Sequence, residues 1–538
     1  MATIDGSTAG LSRTGWFSGD DVRLPETLPA LTILYHPDVR RVGERAVLGE
    51  IALGREALVS RHQPEFAAPG RVSGEPLSDR YISREPVRFQ PAPEGGVAVS
   101  VAGSRTRVEA DGAPVLQARE LPAESLRRGV VLELSGRVVL LLHLASAQPA
   151  APSPRFGLIG DSDGLVRVRE DVRRVADLDL PVLLRGETGT GKELVARALH
   201  DAGRRRNGPF AAVNLGAIPP TLVASELFGA VKGSFTGSVQ SQEGWFRRAH
   251  GGTLFLDEVG EAPAEVQVML LRALETGEVH PVGSQAPVRV SVRVVAATDA
   301  DLEERVRKEQ FRAPLLHRLA GYEIWLPPLR ERRDDVGRLL IHFLGQELEA
   351  IGEPYRLAPT PDLPTSDLWL PPNLAARLAR YDWPGNVRQL RNVARQLVIG
   401  SRGLPHLEIG PAVERLLREP GAVLSSGDVS SARPVPAAPP PSRPERRKPS
   451  EVTEEELMAA LRTCRWDLQA TADELRISRT SLYALIEANP HIRKAGDLRT
   501  DEIVICHREC GGDLDAMVDR LEVSKKALGR RLREMGLL

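Results

Sequence analysis

The chain has 538 residues, too many for one hydrophobic core, and points to three or four domains of roughly 100–200 residues each. Its 42% hydrophobic and 27% charged content is ordinary for soluble globular protein, and a net charge of −1 excludes a global attraction to nucleic acid or membrane, so any polyanion site must be local. Three cysteines (Cys464, Cys506, Cys510), with no His pair at zinc spacing, support neither a disulfide framework nor a metal site and fit a reducing cytoplasm. Asp5 stands where a signal peptide would be basic, and no apolar run approaches the roughly 18 residues of a membrane span, so a cytoplasmic protein without membrane contact is expected.

Residues 1–30 are polar and Gly/Ser-containing, and disorder is expected there. From 31 to 147, short β-branched runs such as "LTILYH" and "GVAVSVAG" are separated by Gly, Pro and Asp, which predicts an all-β antiparallel sandwich. Its longest apolar run, "VVLLLHLA" (138–145), reads as a buried strand. A linker follows at 148–155. Between 156 and 419 apolar strands alternate with helical patterns, which predicts a parallel α/β domain followed by a helical lid. Residues 420–450 are Pro/Ser-rich and end basic, as an extended tether would. The remainder is helical. A shift of 46 residues lays Asp467, Leu468, Ala470, Asp473, Leu475, Ser478 and Leu482 on Asp513, Leu514, Ala516, Asp519, Leu521, Ser524 and Leu528, which predicts two all-α copies at 451–492 and 500–538.

The stretch "LPVLLRGETGTGKELVARALH" orders a buried strand, a Gly-rich turn and a helix as a phosphate loop requires. Gly186, Gly189 and Gly191 let the backbone of Glu187, Thr188 and Thr190 curl round phosphates at a helix N-terminus, and Lys192 brings a point charge to the β/γ oxygens. ATP is the expected ligand. Glu193 stands where Ser or Thr usually touches magnesium, so metal ligation must lean elsewhere. The partner is "GGTLFLDEVGEAP", which ends a buried strand in two carboxylates. Asp257 is suited to Mg2+, directly or through water, and Glu258 to polarising the attacking water. Arg312 and Arg318 are candidate fingers for charge developing on the γ-phosphate, and Arg388, in the helix begun by "WPGN", is a third arginine aimed at the nucleotide.

Taken together, "GETGTGKE", "SELFGAVKGSFTGS", "GGTLFLDE", "FRAPLLHRL", "LPPLRERRDDV" and "WPGNVRQLRN" resemble, in order, the AAA+ ATPase module of the sigma-54-dependent (NtrC-type) bacterial transcription activators. In that family Glu after the loop lysine is normal. The resemblance implies that Asn214 holds Glu258 until ATP binds, and that the loop Gly233-Ser234-Phe235-Thr236-Gly237-Ser238 is raised by hydrolysis against sigma-54. Phe235 would be its apolar anchor, Thr236 a polar contact, and Gly233 and Gly237 its hinges. Four residues depart from the pattern. Ser234 and Ser238 replace alanines, Asp299 stands where the first sensor residue is usually Asn, and Pro314 separates the two candidate fingers. Slow hydrolysis is one expected consequence.

Both ends carry weaker resemblances. Residues 451–492 resemble the Fis-type helix-turn-helix of the family, with Ser478, Arg479, Thr480, Ser481 and Tyr483 opening a recognition helix for double-stranded DNA. The second copy concentrates charge at Lys525, Lys526, Arg530 and Arg531; an amphipathic dimerisation helix is the alternative for either copy. The N-terminal sandwich resembles a forkhead-associated domain, which implies a phosphothreonine protein as partner and Arg55, Ser83 and Arg84 as its contacts. Pro86 replaces the usual His, and a structural or autoinhibitory sandwich is the alternative. The reading is a homo-oligomeric (dimer to hexamer) ATPase that binds enhancer DNA and remodels sigma-54 RNA polymerase. Its competitor is a DNA-bound scaffold or repressor of the same fold that cannot open promoters.

Overall fold

The run 138–145 owes its continuous apolarity to being covered on both sides. In the computed structural model it forms most of β10 (Val138–Ser146), paired between β1 (Thr27–Tyr35) and β9 (Val130–Leu134) in an antiparallel six-stranded sheet. The sheet is completed by β2 (Arg45–Val47) at one edge and by β6 (Val108–Ala110) and β7 (Ala113–Pro114) at the other. A second antiparallel sheet contains β3 (Ala57–Val59), β4 (Val87–Ala92), β5 (Gly96–Ser100) and β8 (Ala118–Leu121) in that order. Side chains alternate along a strand. Leu132, Leu140 and Leu142 therefore face Phe89, Val97 and Val99 in the core between the sheets, while Val131, Val139 and Leu141 join a different core.

The structure describes residues 26–71, 73–147, 154–231 and 241–418, and beyond them 452–464, 500–511 and 513–523 with isolated positions in between and after. The chain divides into two compact units, Met1–Asp428 and Val429–Leu538. Two expectations are corrected. Strand β1 starts at Thr27, so ordered structure begins before residue 31. The sandwich is also not a separate body: Val131, Val139 and Leu141, with Leu34 and Tyr35, share their core with Leu339, Leu340, Leu374 and Leu378 of the lid. Two-sided burial was visible in the sequence, but its cause, a second domain on the outer face, was not.

That second domain is a parallel sheet of β11 (Val182–Arg185), β12 (Phe210–Asn214), β13 (Thr253–Asp257), β16 (Arg293–Thr298) and β17 (Tyr322–Trp325), in the order β12-β13-β16-β11-β17. A small antiparallel ribbon of β14 (Glu278–Val279) and β15 (Val288–Arg289) stands apart. Helices cover both faces of the sheet, which is why its strands read as unbroken apolar runs. The lid consists of Val336–Ala350, Pro372–Arg380, Asn386–Gly400 and Pro411–Arg418.

Polar contacts fasten the sandwich to the lid. Arg137 and Asp79 form a fully buried pair at 2.7 Å, and Arg137 donates further to the carbonyls of Pro361 and Leu363. Arg380 pairs with Glu133 at 3.2 Å, and Arg338 donates to the carbonyls of Val42 and Gly43. At Gly337 an added Cβ would stand 2.3 Å from the Leu34 carbonyl oxygen.

In the C-terminal unit, helices Glu454–Thr463 and Thr500–Glu509 are offset by the same 46 residues that relate the sequence copies. Burial follows the offset: Ala472 and Val518, Leu475 and Leu521, Ile477 and Val523, Leu482 and Leu528 are all buried in one shared core. The first helix opens with a capping box between Thr453 and Glu456. Among the described residues no helix is long and apolar enough to cross a membrane.

Two outcomes follow from the packing. Alanine normally stabilises a helix interior by up to about 1 kcal/mol over glycine, but Gly337→Ala should lower the thermal midpoint of unfolding, by about 1–3 kcal/mol of overpacking against Leu34. His143, bonded to Thr32 at 2.8 Å, is pushed down to about 3 by burial and then by Arg45. The unfolded chain takes up this proton near pH 6.5 and the folded chain does not, so stability is lost as pH falls below 6.5. His143→Gln should remove about 2 kcal/mol of that loss between pH 6.5 and 5, seen as a flatter denaturant midpoint against pH.

Candidate functional site

The loop after β11 is shaped by glycines where other residues would be strained or would collide. Gly186, Gly189 and Gly191 have φ of 152°, 81° and 108°. A Cβ on Gly189 would stand 2.5 Å from the Gly385 carbonyl oxygen, whereas over Gly191 the space is nearly open. The helix Lys192–Asp201 starts here, and Lys192 turns its ammonium back onto the carbonyls of Gly186 at 2.7 Å and Glu187 at 3.3 Å. Burial pulls the Lys192 pKa down, against the pull of Asp257, Asp299 and Glu258. Thr190 closes the turn by donating to the Glu187 carbonyl. Glu193 is exposed on the helix.

Asp257 ends β13, and Glu258 follows in the left-handed region at φ 55°, a conformation that non-glycine residues hold only when the surroundings enforce it. The expected Asn214–Glu258 bond is corrected. Asn214 donates to Asp257 Oδ2 at 3.2 Å and accepts from the Ala217 N–H, while the Glu258 carboxylate lies over Gly216, where a Cβ would meet Oε2 at 2.1 Å. Asn214 bonds to Asp257 because β12 and β13 pair these two residues in register. Asp299 does not point away: its carboxylate accepts from the Thr188 hydroxyl of the loop at 2.6 Å.

The lid closes over the same loop. Trp383 is fully buried and donates to the Leu378 carbonyl; with Asn386 it has φ above 50°, which bends the chain into the helix Asn386–Gly400. The amides of Val387 and Arg388 then donate to the Gly189 carbonyl at 3.0 and 3.3 Å, which places Arg388 on the phosphate loop of its own chain. Three residues that the sequence reading passed over hold the loop from this side. Asn386 donates to Glu187 and to the Thr188 carbonyl, Arg330 grips Glu187 at 2.6 and 2.9 Å, and Arg332 donates to the Thr190 carbonyl at 3.0 Å. The hydrogen bond from Arg330 is the main cause of the lowered Glu187 pKa. The asparagine after Trp-Pro-Gly was a usable signal, since Asn tolerates positive φ.

Arg312 and Arg318 lie elsewhere. Arg312 caps the helix Ala313–Leu319, with Pro314 in its first turn, and Arg318 donates to the Leu274 carbonyl at 2.8 Å. Both side chains are exposed, and no described bond links either to the phosphate loop. Gly233, Phe235, Thr236 and Gly237 lie outside the described residues, but the base of their loop is fixed. Ala230 and Gln242 pair backbone to backbone, Val231 donates to the Val282 carbonyl, and Gln242 bonds Glu226 at 2.8 Å. Ser478, Arg479, Thr480, Ser481, Tyr483, Lys525, Lys526 and Arg530 also lie outside; Arg531 is helical and half-buried. On the sandwich Arg55 and Arg84 are exposed, and Ser83 uses its hydroxyl to accept from the Glu85 N–H.

The donor set fits a magnesium nucleotide: a glycine cradle at a helix N-terminus, a lysine and an arginine for phosphate, and two carboxylates at a strand end. Residues 158–325 match the model of the Sigma-54 interaction domain, 330–408 that of the AAA+ ATPase lid domain, and 449–486 that of Bacterial regulatory protein, Fis family. The chain is 50% identical over 240 residues to the DNA-binding transcriptional regulator NtrC of Azospirillum brasilense, covering 45% of this chain and 47% of that one. It is 45% identical over 250 residues to NtrC of Escherichia coli (strain K12), covering 46% and 51%. With the nitric oxide reductase transcription regulator NorR1 of Cupriavidus necator it shares 41% identity over 319 residues, 59% and 60% of the two chains. The chain thus spans about half to three fifths of the length of these relatives. The three matched regions follow one another along the chain as a Sigma-54 interaction domain, an AAA+ ATPase lid and a Fis-family region.

Asp299 sets a negative charge beside Lys192, where a triphosphate's charge would gather. Asp299→Asn should tighten binding of a fluorescent ATP analogue roughly fivefold, about 1 kcal/mol for one screened charge.

Proposed function

We propose that this chain hydrolyses ATP with Mg2+ to remodel sigma-54 RNA polymerase from a closed to an open promoter complex while bound to enhancer DNA. The observation that carries the reading is that Lys192 and Arg388 meet on one loop with Asp257 and Glu258 within electrostatic reach of Lys192, inside residues that match the Sigma-54 interaction domain and its lid. Lys192, Arg388 and the loop amides would hold the phosphates, and Asp257 the magnesium ion, which neutralises phosphate charge when bound. Glu258 would take the proton of the attacking water. Arg312 and Arg318 would complete the site from a neighbouring copy, since their own phosphate loop is out of reach of any described bond; assembly would then gate hydrolysis.

The backbone pairing of Ala230 with Gln242 supports a loop whose two ends are anchored on the ATPase. Phe235 would meet sigma-54 there. The Fis-type match supports DNA reading by the first copy, and the 46-residue structural offset supports a second copy of the same unit that widens the site or serves in pairing. The sandwich would read a phosphothreonine protein through Arg55, Ser83 and Arg84, of which both arginines are exposed; a structural or autoinhibitory sandwich is the alternative.

The test is ATP-dependent open-complex formation with sigma-54 polymerase on a supercoiled promoter carrying the chain's binding site. Wild type should open the promoter, and Phe235→Ala should lose opening while still turning over ATP. Turnover by wild type with no opening would favour the scaffold or repressor reading, with Ser234, Ser238 and Asp299 as its causes.

A further inference from the structure

The segment Leu329–Asp335 touches the phosphate loop on one side and the sandwich on the other. Toward the loop, Arg332 donates to the Thr190 carbonyl at 3.0 Å. Toward the sandwich, Asp334 accepts from Arg45 of β2 at 2.7 Å, and Arg45 also lies 3.5 Å from Asp163. Asp334 and Asp335 are adjacent and buried. Asp335 is held by the Ser162 hydroxyl and by the amides of Asp161 and Ser162. For Asp334, Arg45 is the one ion-pair partner among the described residues. Arg332 is itself buried, feels the attraction of both carboxylates, and has its Nε without a partner.

We infer that Arg45 is a positioning residue for the nucleotide site, supplied by the sandwich: by answering the charge of Asp334 it leaves Arg332 on the phosphate loop. A buried carboxylate stripped of its partner is costly, and the nearest mobile cation relieves it. Without Arg45 that cation is Arg332, whose move toward Asp334 releases the Thr190 carbonyl and loosens the turn between Gly189 and Gly191. The backbone of Arg45 is paired in both directions with Ala67, at the start of the segment that leads to Ser83 and Arg84. Events on that surface therefore reach the loop through β2, Asp334 and Arg332. The inference rests on the ATP reading above.

The experiment is equilibrium binding of a fluorescent ATP analogue to the full chain, with thermal midpoints recorded in parallel. Arg45→Ala should weaken binding about tenfold, Arg45→Lys should keep most of it, and the double variant Arg45→Ala/Asp334→Asn should return to within about twofold of wild type. Arg380→Ala, which loosens the sandwich at Glu133 without touching Asp334 or Asp335, should bind as wild type. Wild-type affinity in Arg45→Ala would overturn the inference, as would a double variant as weak as Arg45→Ala, because the loss would then come from a disturbed joint and not from an unanswered charge. Should Arg45→Ala fail to fold, the double variant set against Arg380→Ala decides: affinity well below Arg380→Ala overturns it. A wild-type chain that binds no ATP overturns the nucleotide reading and this inference with it.

Discussion

A charge taken out of water has to be answered by another within reach, and the run Arg330–Asp335 concentrates that demand in six residues. Arg332, Asp334 and Asp335 are all buried there. Burial raises the pKa of both carboxylates, Asp335 to about 7, and lowers that of Arg332. Each is satisfied by a different part of the chain. Thr190 of the phosphate loop takes Arg332, Arg45 of the sandwich takes Asp334, and Ser162 takes Asp335. Three segments far apart in sequence are thereby held to one short connector, and the nucleotide site, the entry to the ATPase domain and the sandwich keep a common geometry.

The same logic explains how the lid reaches the nucleotide. A phosphate loop must leave its amides free for a ligand, so its own carbonyls need partners from outside. Lys192 covers Gly186, the start of the helix Asn386–Gly400 covers Gly189, and Arg332 covers Thr190. Two of these three come from the lid side of the domain. The position of the lid therefore sets which loop groups are satisfied, and the sandwich shares with it the core of Leu339, Leu374 and Val139.

Charge placement also accounts for the departures from the family pattern. Asp299, which like Asp257 and Glu258 lies within electrostatic reach of Lys192, is tolerated because Thr188 donates to it and Lys192 offsets its charge. Pro314 is harmless for the helix Ala313–Leu319, since it falls in the first turn, where its missing N–H has no intrahelical acceptor. Asn214 bonds to Asp257 in place of Glu258 because parallel register sets the two strand ends side by side, while Glu258, one residue further, has already turned away at positive φ.

By itself the sequence determined what local chemistry and periodicity determine. The phosphate loop, the acidic pair at the end of β13, the covered strand at 138–145 and the 46-residue repeat were all legible, because each is written in consecutive residues whose conformation or burial follows from their own types. Tertiary structure alone decided that the outer face of β10 is covered by the lid, that Arg330, Arg332 and Asn386 hold the phosphate loop, and that Arg45 answers Asp334 across the domain joint. Arginines and aspartates carry no periodic signal, and a charge shows its partner only once folding has brought together residues nearly three hundred positions apart.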